Sequence, residues 1–143
     1  MKTLSELFLG LGLGIAATTV AFGTNTAIKF TGFEVGILLL FFSVSEEIIK
    51  FIVSKLTMYF ASVGSFVAVG IGVGFGFWEF VLFTWIRGIT PTQRIDALLF
   101  HTLTGVILWF GLKSKNTFWW GIALGLNLVL HLGFNFWLIK SIT

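Results

Sequence analysis

The chain has 143 residues, of which 57% are hydrophobic and 10% are charged, and its mean hydropathy is +1.01. A water-soluble domain of this length needs far more polar surface, so the composition indicates an integral membrane protein. Its formal charge of +3 comes from basic residues spread without a cluster, which argues against a nucleic-acid partner, and the lack of cysteine excludes disulfides and thiolate chemistry.

Five apolar segments follow one another, each near the ~20 residues that a helix needs to cross a lipid bilayer. The predicted membrane helices cover residues 4–22, 33–53, 58–86, 91–112 and 118–139, separated by short polar breaks at 24–26, 54–55, 87–88 and 113–116. A membrane sheet would have to close as a barrel, and the required period-two alternation is missing. The sequence therefore predicts an all-α, polytopic membrane helical bundle of about five helices, in a single domain over residues 1–143.

Ionisable side chains inside these helices carry the functional prediction, because a charge in mid-helix costs at least ~2.5–3.5 kcal/mol on insertion scales. On the second predicted helix Glu46 and Lys50 are i,i+4 neighbours, so the lysine can neutralise one carboxylate of the Glu46–Glu47 pair. Asparagines flank the histidine of the fifth helix at four-residue spacing, which places the three on one face. From the second helix to the fifth, these groups are Glu46, Glu47, Lys50, Glu79, His101, Asn127, His131 and Asn135.

The depth of these groups in the membrane is also informative. At ~1.5 Å per residue, Glu46 lies roughly 15–20 Å from the membrane face where the second helix begins. From that same face Glu79 lies about 10 Å away, His101 about 15 Å and His131 about 12 Å. Random placement would scatter them across ~30 Å. The sequence therefore predicts one polar cluster, off-centre toward the loop near residues 87–94.

Carboxylates and imidazoles that meet in a low-dielectric cavity suit the hydrolysis of an amide. A glutamate can deprotonate water, while histidine and asparagine stabilise the oxyanion or protonate the leaving amine. The same ligand types can hold zinc or another divalent metal, with water in the open position. The alternative is a structural network of salt bridges and hydrogen bonds. Six such groups at one depth favour a site, because each costs stability and a packing network needs fewer.

Four short motifs stand in order on four successive predicted helices. Residues 46–50 resemble an EExxK/R motif, and the six residues 74–79, GFGFWE, resemble a GxxFxxE-like motif without matching its spacing. Arg94 and His101 resemble an R-x6-H motif, and His131 with Asn135 resembles a final HxxxN motif. Together, over about residues 43–136, the chain resembles the CAAX-protease and bacteriocin-processing superfamily (CPBP, or Abi), particularly its PrsW- and YhfC-type branches.

The resemblance implies a helical intramembrane endopeptidase in a prokaryotic cell membrane, which cleaves a membrane-embedded or membrane-proximal protein or peptide. Members are described as metal-dependent or as glutamate proteases, so a divalent metal stays open. Two departures are a glutamate at position 79, where CAAX proteases usually place histidine, and fewer helices than family proteins usually carry. The implied site, with Glu46 or Glu47 activating water, consists of Glu46, Glu47, Glu79, His101, His131 and Asn135.

Two other functions compete with proteolysis. A non-catalytic assembly or binding subunit would keep the polar core for structure alone, and its partner would be another membrane protein or a second copy of the chain. Such a role predicts a dry, fully paired core. An ion or proton carrier is the weakest reading, because the chain shows no inverted repeat and no broken helix.

Overall fold

The computed structural model of the protein describes residues 2–29, 34–87 and 94–142, and these form helices without a strand. The all-α bundle predicted from the sequence is therefore confirmed. The five helices, in chain order, are α1 (Lys2–Lys29), α2 (Val35–Phe60), α3 (Val67–Arg87), α4 (Ile95–Lys113) and α5 (Thr117–Ile142).

Four helices, α1, α3, α4 and α5, are long and apolar enough to cross a membrane. With 26 residues α2 is also long enough, but its middle carries the charged residues predicted to form the site. These charges face inward, whereas the opposite face of α2 exposes Ile37, Leu40, Ile52 and Leu56. Such a helix suits a bundle in lipid, with its polar groups toward the interior. The chain is an integral membrane protein.

The first predicted break, at residues 24–26, is wrong, because α1 continues through it to Lys29. The hydroxyls of Thr24 and Thr26 donate to carbonyls four residues earlier on the same helix, at 3.0 and 2.7 Å. Asn25, between them, instead reaches across to α2. A polar triplet thus interrupts the hydrophobicity of α1 but leaves its backbone helical.

The predicted break at residues 54–55 is also wrong, and the turn between α2 and α3 comes later, at 61–66. Ser54 and Thr57 continue α2 by donating to the carbonyls of Lys50 and Val53. The turn that follows has Ser62 in the left-handed region, with φ 51°. The Gly64 amide donates to the Glu6 carboxylate of α1 at 2.9 Å. The predicted start of the fourth helix, at Pro91, lies outside the described residues.

Glycines allow close backbone contact along two helix–helix interfaces, which we call seams. In the α1–α3 seam, a Cβ added at Gly10, Gly14, Gly70 or Gly74 would meet backbone atoms of the opposite helix. This pairing agrees with the small-xxx-small spacing of these glycines. In the α3–α4 seam, a Cβ added at Gly72, Gly76 or Gly105 would lie within 2.9 Å of the nearest backbone atom of the facing helix.

The seams lie in one half of the membrane bundle, next to an apolar core built around Ala68, Leu108, Leu112 and Ala123. In the other half the helices carry larger side chains and enclose a cavity. The α3–α4 seam ends beside that cavity, at Gly76. A Cβ added at Gly76 would lie 3.1 Å from the Cβ of His101, so the glycine leaves room for the histidine. The close packing of one half therefore determines where the histidine of α4 stands.

Candidate active site

Lys50 of α2 forms the buried floor of the site. Its ammonium group donates to the Glu47 carboxylate at 2.5 Å and to the Thr104 hydroxyl at 2.9 Å. It also lies 3.2 Å from Nδ1 of His101. An ammonium group has three N–H donors and no acceptor, so these three contacts use all of its hydrogens. Lysine therefore neutralises one carboxylate of the pair, as predicted, but its partner is Glu47, three residues away, and not its i,i+4 neighbour Glu46.

His101 of α4 links this floor to Glu79 of α3. Because Lys50 donates to Nδ1, the proton of the neutral imidazole is assigned to Nε2. Nε2 then donates to Oε2 of Glu79 at 2.5 Å, while Arg94 donates to Oε1 of the same carboxylate at 2.5 Å. Both oxygens of Glu79 are thus occupied, one by Arg94 immediately before α4 and one by His101 in the second turn of α4.

His131 of α5 stands between the two carboxylates of α2. Its Nδ1 lies 2.7 Å from Oε1 of Glu47, and its Nε2 lies 3.3 Å from Oε2 of Glu46. A carboxylate accepts, so Nδ1 carries a proton, and a proton on either Nε2 or Oε2 would join His131 to Glu46, because two lone pairs at this distance repel. The rings of His101 and His131 are 5.3 Å apart between centroids. The structure thus brings the predicted glutamates and histidines into one cluster, while their catalytic roles stay predictions.

A cavity of about 780 Å³ opens beside this cluster and receives side chains from all five helices. Two of the three carboxylates line it, and their side chains are 14% exposed at Glu46 and 16% at Glu79. The side chain of Glu47 is fully buried behind His131 and does not line the cavity. The ionisable residues on the cavity wall are Glu46, Glu79, Arg94, His101 and His131.

The charges of the cluster do not balance. Glu47 is paired with the Lys50 ammonium and Glu79 with the Arg94 guanidinium. Glu46 has no permanently cationic partner among the described residues; its contacts are His131 and the Asn25 amide. Three carboxylates thus face two fixed cations, and Glu46 is the one left over. It is the carboxylate available for a proton or for another cation.

The two asparagines of α5 have separate positions. Asn135 lines the cavity, and its Nδ2 donates to the hydroxyl of Ser43 at 3.0 Å. Asn127 is fully buried one turn below His131 and donates to the backbone carbonyl of Thr104 at 2.9 Å. The first stands within reach of a molecule in the cavity, whereas the second ties α5 to α4.

The hydrogen bonds of the cluster show which of its side chains could bind a metal ion. Glu46, His101 and His131 each offer a ligand atom, and these atoms lie within 4.8 Å of one another. A metal-ligating histidine usually donates its other N–H to a carboxylate, carbonyl or water. His131 does so toward Glu47, whereas His101 has an ammonium at Nδ1 and a carboxylate at Nε2. Glu46 and His131 therefore fit a divalent metal, and His101 does not in this arrangement.

Asn25 of α1 belongs to the site although the sequence assigned it to a loop. Its Nδ2 donates to Oε1 of Glu46 at 2.7 Å, and it lines the cavity. A signal for it exists in the spacing, because Gly14, Thr18, Ala21 and Asn25 lie on one face of a helix. That face continues the α1–α3 seam into the cavity.

Comparisons of this chain with protein-family models, with curated proteins and with solved structures found no match.

Proposed function

We propose that this protein is an intramembrane endopeptidase in which Glu46 activates the attacking water. The observation that carries the proposal is a carboxylate without a fixed cation, Glu46, that lines a cavity inside a membrane bundle beside Nε2 of His131. A core whose polar groups serve packing alone has no reason to keep a carboxylate without a fixed cation on the wall of a cavity.

The steps of hydrolysis can be assigned to atoms. Water binds against Oε2 of Glu46 and Nε2 of His131, which stand 3.3 Å apart. Glu46 takes a proton from the water as its oxygen attacks the carbonyl carbon of the peptide. The C–N bond of the tetrahedral intermediate then breaks, and Glu46 returns that proton to the leaving nitrogen. The products are a carboxylic acid and an amine, and Glu46 is again a carboxylate.

The negative oxygen of the intermediate needs hydrogen-bond donors on the cavity wall. Nε of Arg94 is buried and has no partner in the described part of the chain, and Arg94 lines the cavity. That N–H has no accessible surface in this arrangement, so the Asn135 amide, which lines the cavity and uses one hydrogen on Ser43, is our candidate for the oxyanion donor. Glu47 acts through His131 by holding Nδ1, and it is a positioning residue in this scheme.

The rest of the cavity wall is apolar, which points to the substrate. Leu38, Leu39 and Phe42 of α2 face this space together with Leu82 of α3 and Phe134 of α5. Such a wall suits apolar side chains on both sides of the scissile bond. The proposed substrate is therefore a membrane-embedded or membrane-proximal peptide segment. The motifs that resemble the CAAX-protease superfamily support this class, and with it a prokaryotic cell membrane.

Glu46→Gln tests the proposal, because glutamine keeps the volume and removes the basic oxygen. The purified protein, in detergent micelles, is incubated with a pooled library of fluorogenic apolar peptides. We expect wild type to cleave members of the pool and Glu46→Gln to lose about 10²- to 10⁴-fold in rate. The matched control is Glu34→Gln, an exposed carboxylate before α2, which keeps the wild-type rate.

The assembly subunit is the outcome that would replace this proposal. A wild-type protein that cleaves no peptide of the pool, with Glu46→Gln and His131→Ala lowering its melting temperature, would show that the cluster serves structure. Normal melting of Glu46→Gln together with lost cleavage supports the endopeptidase.

A further inference from the structure

The Glu46 carboxylate is held from a helix that carries none of the four motifs. Its Oε1 accepts a hydrogen bond at 2.7 Å from Nδ2 of Asn25, near the end of α1. The neighbouring Ser45 donates to Oδ1 of the same amide, also at 2.7 Å. Two consecutive residues of α2 therefore bind both ends of one amide group of α1.

This arrangement determines how the Asn25 amide is oriented. With its Nδ2 toward Glu46 the amide donates to an ionised carboxylate, whereas the reverse orientation would place two oxygen acceptors 2.7 Å apart. The Ser45 hydroxyl is compatible with this orientation, with Oδ1 at 2.7 Å and the Phe42 carbonyl oxygen at 3.0 Å as alternative acceptors for its single hydrogen. The contact thus suits Glu46 as a base, that is, with its charge in place.

The contact also distinguishes the two oxygens of Glu46. Oε1 is occupied by Asn25, and Oε2 faces Nε2 of His131 at 3.3 Å. Only Oε2 is then free of a direct amide donor, and it stands at the place where water is proposed to bind. A side chain that rotates freely would present either oxygen, in many orientations, to the cavity.

We infer that Asn25 is a positioning residue for Glu46, so that α1 completes the active site from outside the motif-bearing region 43–136. The inference rests on the proposed function. The α1–α3 glycine seam fixes the height of α1 in the bundle and so carries the Asn25 amide to the level of Glu46. Asn25 acts on the base and is expected to change the rate of the chemical step, with little effect on substrate binding.

Two isosteric variants test this role with the peptide that wild type selects from the fluorogenic pool. Asn25→Leu removes both polar atoms, and Asn25→Asp replaces the donor by a second carboxylate that faces Glu46. We expect kcat to fall about 10- to 100-fold in both, since small misplacements of catalytic groups have effects of this size. KM should stay within about twofold, because substrate contacts are kept. Thr24→Val, the matched control one residue away, should leave both constants unchanged.

A double-mutant cycle separates positioning from general damage. Ser45→Ala should lower kcat by itself, because the amide loses its second anchor, and should add nothing to Asn25→Leu. An unchanged kcat in both Asn25 variants would overturn the inference while Glu46→Gln still supports the endopeptidase. A rise in KM at constant kcat would overturn it as well, because Asn25 would then bind substrate. Cleavage that survives in Glu46→Gln would overturn the proposed function, and the inference with it.

Discussion

The two halves of the bundle are built from the same helices, but one half is closely packed and the other encloses a cavity. In the seam half, α1, α3 and α4 meet through glycines, and their backbones approach too closely for any side chain. In the cavity half, the same helices carry Asn25, Glu79 and His101, and they enclose about 780 Å³. The first half is dominated by backbone contacts between glycines, whereas the second has a cluster of charges beside open space. Rigid packing in one half allows the other to hold ionised groups around a void without collapsing onto it.

The largest expected effect on stability separates the two carboxylates of α2. Glu47→Gln leaves the fully buried Lys50 ammonium without a counter-charge, and loss of one partner of a buried pair costs about 3–5 kcal/mol. Glu46→Gln removes a charge that has no cationic partner, and its unfolding free energy should change by less than about 1 kcal/mol. Thermal melting in detergent, followed by the fluorescence of the six tryptophans, measures both. Equal destabilisation would contradict the distinct roles given to them.

A smaller effect is expected in the seam half. A Cβ at Gly74 would overlap the backbone of Leu11, so Gly74→Ala should lower the unfolding free energy by about 1–3 kcal/mol, the usual cost of overpacking. Gly125 of α5 has open space around it, and Gly125→Ala should stay within about 0.5 kcal/mol of wild type. Cleavage per folded molecule should be normal in both. A Gly74→Ala protein with normal melting and a lost reaction would mean that the seam contributes to the chemistry itself.

The smallest effect concerns metal. His101 has a lysine at one ring nitrogen and a glutamate at the other, so a three-ligand zinc centre does not fit these hydrogen bonds. A chelator such as 1,10-phenanthroline should therefore leave cleavage unchanged, and elemental analysis should find no stoichiometric metal in the purified protein. Loss of activity with the chelator, restored by added zinc, would show that the cluster rearranges around a metal.

The fold and the depth of the polar cluster were predictable because both depend on composition and helix rise. Glu79, His101 and His131 came out at similar depths from a rise of ~1.5 Å per residue, and they do meet. The bundle itself follows from apolar segments that are each long enough to span a bilayer.

The choice between Glu46 and Glu47 was not predictable, because adjacent helical residues differ by only about 100° in direction. Tertiary contacts decide which one meets Lys50, and spacing alone allows the lysine to reach either residue. The Asn25 contact was missed for another reason: a short polar triplet is the usual mark of a loop. Only the position of α2 against α1 shows that Asn25, the middle residue of the triplet 24–26, binds Glu46.

The glycine seams have a consequence for mapping this protein by saturation mutagenesis. In a selection for activity, side chains larger than alanine at Gly10, Gly14 or Gly74 would be eliminated as substitutions at Glu46 are, because they would overlap the backbone of the facing helix. Intolerance to substitution would therefore not distinguish the positions needed for packing from the positions needed for the reaction. A second readout of protein abundance would divide that set. Seam variants should vanish from both maps, and Glu46→Gln should vanish from the activity map alone.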